Sequence, residues 1–170
     1  DVILRHTLRL QALVNDLVAL SRAESPEQEY ELAPVDLGAA VGDVVLGLTA
    51  QAEQRGLDLR TDSLGGLPEV IANSRALDQV LINLVDNAIK YTPEGGRITM
   101  RATTRADTVT LEIENTGPGI APDQLERIFE RFYRVDAGRS RDMGGTGLGL
   151  SIVRHLVARM GGEIQAQSEP

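Results

Sequence analysis

The sequence predicts an α/β fold: a two-layer α/β sandwich with a mixed sheet and helices on one face, preceded by a bundle-forming helix. Three observations carry that prediction. Apolar residues recur at helical spacing over 1–22, 37–55, 74–92 and 147–160, and alternate with polar ones over 57–64, 97–104 and 108–115. Two of the alternating runs, RITMRATT and TVTLEIEN, are separated only by Arg105-Ala106-Asp107, which makes them a hairpin. Strands and helices do not follow each other as regular βαβ units, which points to layers rather than a doubly wound sheet.

Each element has its own warrant. Ile3, His6, Leu10, Leu13, Leu17 and Leu20 lie at spacings of three and four, a heptad seam, and Leu4, Leu8, Val14 and Val18 widen it beyond a two-stranded one. Nothing downstream continues the heptad, so this helix is expected to find its partners outside the chain. Residues 23–29, AESPEQE, break the pattern and mark a domain boundary. YELAPVDL gives a short strand ending at Asp36, an N-cap for the helix over 37–55, which Gly56 stops. LDLRTDSL and EVIA read as strands joined by the GGLP turn. Ser74 caps a long helix carrying Leu77, Val80, Leu81, Leu84, Val85 and Ile89, ended by Thr92-Pro93 and Gly95-Gly96. A short helix is expected around APDQLERIFERF, a polar stretch over 134–145, a helix over 147–160 ended by Gly161-Gly162, and a last strand at EIQAQ, truncated and without a partner in the chain. The sequence reads as clipped at both ends.

Composition narrows the chemistry. The 170 residues carry 25 acidic and 17 basic side chains, a net charge of −8, which argues against a nucleic-acid surface. With no Cys there is no disulfide, no thiolate metal site and no Cys nucleophile, and His6 and His155 are too far apart in sequence to suggest a zinc site. No run of 18 apolar residues and no basic-then-apolar leader is present. Aromatics make up only 3%, so stacking on a ligand would rest on very few residues.

Three clusters stand out. On the helix over 74–92, Asn83, Asn87, Lys90 and Tyr91 fall on one face. Such a stripe is either solvated or a site where carboxamide oxygens meet Mg²⁺ and a lysine meets phosphate; asparagine is a poor helix former, so two in one interior call for a reason. Asn115-Thr116-Gly117-Pro118-Gly119-Ile120 follows a strand; its paired glycines let backbone approach a flat ligand, although any tight turn yields such a pair. Gly144-Gly145-Thr146-Gly147-Leu148-Gly149-Leu150 runs into a helix, as a phosphate cradle or a flexible hinge would. No Lys-Ser/Thr follows it, so it is not a Walker-type loop.

Taken together and in order, these clusters resemble the bacterial sensor histidine kinases. NLVDNAIKYT from Asn83 is similar to their N box, NTGPGI from Asn115 to their first glycine box, IFERFYR from Ile128 to their F box, and GGTGLGLSIV from Gly144 to their second glycine box. The resemblance covers residues 30–167 and implies the Bergerat ATP-binding sandwich shared with gyrase, the mismatch-repair ATPases and the ninety-kilodalton heat-shock chaperones. Residues 1–24 resemble the second helix of the family's dimerisation and phosphoacceptor hairpin, which implies a 25–29 linker, a catalytic ATP-binding domain over 30–170, and an acceptor histidine on a helix absent from this chain.

The resemblance assigns roles. Asn87 is the implied Mg²⁺ ligand, supported by Asn83; Lys90 reaches the phosphates and Tyr91 lines the nucleotide pocket. Asn115 meets the adenine amino group, with Gly117, Gly119 and Ile120 lining the base pocket. Arg134 and Arg139 contact phosphate, residues 135–146 form a lid, and Gly145, Thr146, Gly147, Leu148 and Gly149 wrap the phosphates. Phe129 and Phe132 pack the base of the lid. The implied cofactors are ATP and Mg²⁺. The implied partners are ATP and ADP, a response-regulator receiver domain and, through the helical bundle of the full-length protein, a second copy; no nucleic acid is expected. The setting implied is the cytoplasmic side of a membrane-anchored sensor.

Two departures qualify the match. His6-Thr7-Leu8-Arg9 echoes the family's acceptor motif but lacks its acidic residue and proline, and His6 lies on the heptad seam, so it is read as a packed structural histidine, as is His155. At 115 the family usually has Asp; the Asn carbonyl still accepts a proton from adenine if the amide is turned correctly. Two alternatives are a hydrolase of the same fold, which would place a Glu where this chain has Asn83, a residue that cannot act as a base, and a nucleotide-sensing pseudokinase module, against which the nucleotide boxes, intact apart from Asn115, weigh.

Overall fold

A computed structural model describes residues 2–25, 30–135 and 145–169. The chain forms two compact units, one of residues 30–119 and one combining 1–29 with 120–170.

The first unit is the layered sandwich. Its elements are β1 (Ala33–Val35), α2 (Leu37–Gln54), β2 (Asp58–Asp62), β3 (Val70–Ala72), α3 (Ser74–Tyr91), β4 (Arg97–Arg105) and β5 (Thr108–Asn115), with α1 (Val2–Glu24) belonging to the other unit. β1 and β3 pair antiparallel, while β2, β4 and β5 form a mixed sheet in which β2 runs parallel to β4 and β5 antiparallel to it. Register sorts the two faces of that sheet. Met100 lies opposite Ile113 and Ala102 opposite Leu111, apolar pairs that face the helices. Arg101 lies opposite Glu112 and makes ion pairs with Glu112 and Glu114 at 2.5 and 3.1 Å on the solvated face. Val41 of α2, Leu81, Val85 and Ile89 of α3, and Ile98 and Met100 of β4 are all sealed from solvent and form the core.

The ends of these helices follow capping chemistry. Asp36 caps α2 through Ala39 N at 2.9 Å, as predicted. Gly56, at φ +65°, lets Leu57 N–H reach Ala52 O at 2.9 Å and close the helix. At α3 the cap is Asn73, not the predicted Ser74: its Oδ1 accepts from Ala76 N at 3.0 Å while its Nδ2 donates to Glu31 O at 3.1 Å. The second bond decides between two residues with equal cap propensity. Asn73→Ala is therefore expected to lower unfolding free energy by about 1–2 kcal/mol, and Ser74→Ala by no more than about 0.5. Urea titration of both variants checks this.

The second unit joins α1 to α4 (Gly149–Arg159), with Leu20 and Ala23 of α1 and Ile152, Val153 and Leu156 of α4 buried. An ion pair links Arg131 to Glu24, and Thr146 Oγ1 donates to Asp16 Oδ2 at 2.5 Å. Three expectations change here. The helix expected around 121–132 is two single 3-10 turns, Pro122–Gln124 and Arg127–Phe129. Phe132 turns into the left-handed region (φ 61°) so that its N–H donates to Gly147 O at 2.8 Å, and that long-range bond replaces a helical one. Residues 163–167 are not a strand, because among the described residues no ladder forms on them; Ser168 Oγ instead accepts from Ile120 N at 2.8 Å. His6 is exposed rather than packed, on a seam where Ile3, Leu10 and Leu17 are 79, 62 and 56% exposed. No described helix is long and apolar enough to cross a membrane.

Candidate functional site

In the first unit, α3 carries the predicted stripe. Its buried side holds Leu77, Leu81, Val85 and Ile89, which leaves Asn83, Asn87 and Lys90 half-buried on another face, and Tyr91 42% exposed. Asn83 Nδ2 is buried without an acceptor among the described residues. A buried donor left unpaired costs about 1–3 kcal/mol, so an acceptor at this nitrogen would be favourable. Lys90, the one lysine of the chain, is held by Asp86: Nζ stands 2.5 Å from Oδ2, while Asp86 Oδ1 accepts from Gln51 Nε2 at 3.1 Å. Sequence reasoning missed Asp86, although its position four residues before Lys90 is the signal for a helical ion pair.

The glycine turn after β5 closes the same unit. Asn115 is exposed and donates from Nδ2 to Thr92 Oγ1 at 3.2 Å. Gly117 N–H donates to Asn115 O at 2.9 Å, and a Cβ at Gly117 would stand 2.7 Å from Asn115 Nδ2. Gly119 has φ +75°. Thr92, read from sequence only as a helix stop, is 3% exposed and donates its hydroxyl to Ala88 O at 2.6 Å. A threonine one turn past a helical carbonyl, just before Pro93, was the signal for such back-bonding.

In the second unit, the second glycine box enters α4 with no side-chain cap: Leu148 stands at the cap position and Gly149 opens the helix. Its first backbone N–H groups are therefore open to an acceptor. Leu148 is 1% exposed and anchors the turn, Ser151 Oγ donates to Leu148 O at 2.8 Å, and Thr146 Oγ1 accepts from Leu148 N at 3.2 Å. Gly147 (φ +77°) passes so close to Phe132 that a Cβ would stand 2.9 Å from its backbone. Phe132 is 61% exposed, so it does not pack as expected, whereas Phe129 is half-buried. Arg134 has Nε and Nη2 buried without acceptors among the described residues. Gly145 is half-buried; Arg139, Gly144 and most of the expected lid lie outside the described residues. His155 is half-buried, in a groove of about 540 Å³ with Leu20, Phe129 and Arg131.

Comparison with known proteins gives the family. The family profile for histidine kinase-, DNA gyrase B-, and HSP90-like ATPases matches residues 72–170, which include all four boxes. The sensor-like histidine kinase SenX3 of Mycolicibacterium smegmatis is 37% identical over 162 residues, 95% of this chain and 42% of that protein. The chain thus spans about two fifths of the length of such curated relatives. Among solved structures, full-length ShkA in complex with AMPPNP is 34% identical with a TM-score of 0.78, over 94% of this chain and 34% of that one. Histidine kinase ThkA in complex with response regulator protein TrrA is 26% identical with a TM-score of 0.75, over 95% and 43%. The chain belongs to the family of histidine kinase-, DNA gyrase B- and HSP90-like ATPases, as an ATPase domain of the sensor-histidine-kinase type.

Proposed function

We propose that the chain binds Mg-ATP and acts as the kinase core of a sensor, passing the γ-phosphoryl group to a histidine on a separate helix for relay to a response-regulator aspartate. The observation that carries this reading is that Asn83 Nδ2 on the N box and, separately, Arg134 Nε and Nη2 on the F box are buried without acceptors among the described residues. Phosphate oxygens are acceptors of the right charge for each.

Asn87, backed by Asn83, would hold Mg²⁺. The donor set fits that ion: Asn87 and Asn83 offer carboxamide oxygens, hard donors that Mg²⁺ accepts, and phosphate oxygens would complete its shell. When bound, the ion neutralises charge on the phosphates. Lys90 would exchange Asp86 for phosphate, and Arg134 and Arg139 would position the transferred group. The uncapped start of α4, with Gly145 to Gly149, would receive the phosphate chain. Tyr91, Asn115, Gly117, Gly119 and Ile120 would surround the base. Residues 1–24 would serve as the second helix of the dimerisation hairpin, 25–29 as a linker and 30–170 as the catalytic domain. Exposed Ile3, Leu10, Val14 and Leu17 would meet a second copy, and a receiver domain would be the downstream partner, on the cytoplasmic side of a membrane-anchored parent.

Asn83 cannot deprotonate water, so transfer rather than hydrolysis is favoured. Calorimetry with AMPPNP and Mg²⁺ is expected to show binding, incubation with γ-labelled ATP to leave this chain unlabelled, and phosphate release to be very slow. Absence of nucleotide binding, or acid-labile label on His6, would overturn the reading. Steady release of several phosphates per second would place the chain with the hydrolases.

A further inference from the structure

A threonine hydroxyl has one proton, and Thr92 spends it on Ala88 O at 2.6 Å. Toward Asn115 it therefore offers only a lone pair. Of the two ends of the Asn115 carboxamide, only the NH₂ can meet a lone pair favourably, and Nδ2 does so at 3.2 Å. Turned the other way, Oδ1 would face Oγ1 with no proton between two acceptors, or the hydroxyl would forfeit its bond to Ala88 O. The Thr92 side chain has no freedom to relax this: it is 3% exposed, and its methyl group lies directly over Gly96, where a Cβ would collide with it. Gly117 leaves the space its own Cβ would fill to the Asn115 amide. Asn115 is itself exposed, so the Oδ1 end is the one left for a ligand.

We infer that Thr92 is a positioning residue for base recognition: by fixing the turn of the Asn115 carboxamide, it makes Asn115 an acceptor, which suits the amino group of adenine and disfavours the carbonyl of guanine at the same edge. An unfixed carboxamide reads either base, since its NH₂ can donate to guanine. This rests on the nucleotide-binding reading above. It also ties Thr92 to the amide specifically, because an aspartate at 115 has no NH₂ to donate and no orientation to choose.

Affinities for ATP and GTP, measured by calorimetry with Mg²⁺ on the whole chain, test it. Thr92→Val, which keeps shape and removes the hydroxyl, is expected to compress the ATP-over-GTP preference about five-fold, the worth of one neutral hydrogen bond. Thr92→Ser is expected to restore it. In an Asn115→Asp background the same Thr92→Val change is expected to leave the preference unmoved, a result that general loosening of the fold would not give. In ligand-free protein, nitrogen-15 spectra are expected to show slowed solvent exchange for the Asn115 side-chain NH₂, and this arm decides the matter should Thr92→Val fail to fold. An Asn115 amide exchanging like a free one, or a Thr92→Val protein that binds ATP with undiminished preference, would overturn the inference. A wild-type chain that binds neither nucleotide would instead overturn the reading on which it rests.

Discussion

Gly147→Ala is expected to lower unfolding free energy by about 3 kcal/mol, the sum of a left-handed backbone penalty near 1–2 and an overpacking cost near 1–3. Both contributions come from one place. Gly147 sits at φ +77°, where a Cβ is disfavoured regardless of space, and that Cβ would stand 2.9 Å from the Cα and carbonyl carbon of Phe132. Those are backbone atoms and cannot rotate aside. Phe132 is already at φ 61° in order to give its N–H to Gly147 O at 2.8 Å, so moving either residue breaks that bond. The turn also presents the start of α4, so nucleotide affinity is expected to fall at least about ten-fold with stability. Gly47→Ala supplies the contrast. Gly47 lies inside α2, and a Cβ there meets nothing within 4 Å, so alanine should stabilise by about 0.5–1 kcal/mol. Denaturant titrations of both variants decide it; shifts of the same sign would mean that the Gly147 turn is not the constraint described.

What the sequence made legible divides along the range of the interactions. The stripe of Asn83, Asn87 and Lys90 was readable because helical period is local and the apolar residues between them leave one phase for the core. The hairpin of β4 and β5 was readable because only two residues separate the strands. Asn73 and Ser74 are adjacent and both cap well, so only the distant Glu31 carbonyl, 42 residues away, separates them. The 3-10 turns near Phe129 were read as helix because the Phe132–Gly147 bond that breaks the pattern joins residues far apart in sequence. The orientation of Asn115 depends on Thr92, 23 residues earlier. A residue's type announces that it can accept or donate; which end it presents is settled by neighbours that the chain brings from elsewhere.

Arg134→Met is expected to stabilise the ligand-free protein and weaken nucleotide binding at once. Nε and Nη2 of Arg134 are buried without acceptors among the described residues, and donors in that condition are held at a cost. Methionine has a similar length and no charge, so the change should add about 1–2 kcal/mol to unfolding free energy. Under the proposed function those same nitrogens gain phosphate oxygens as acceptors, and a charge-assisted hydrogen bond is worth about 1.5–3 kcal/mol, which predicts a loss of roughly 10- to 100-fold in ATP affinity. Arg134→Lys separates charge from geometry. It keeps the positive charge but not the planar fork, so its affinity should fall between those of the other two proteins. A purely structural arginine would show the opposite pattern, with Arg134→Met lowering stability and leaving ATP affinity where it was. Opposed signs in the two measurements, more stable without ligand and weaker with it, would mark Arg134 as a side chain kept under strain for the anion it receives.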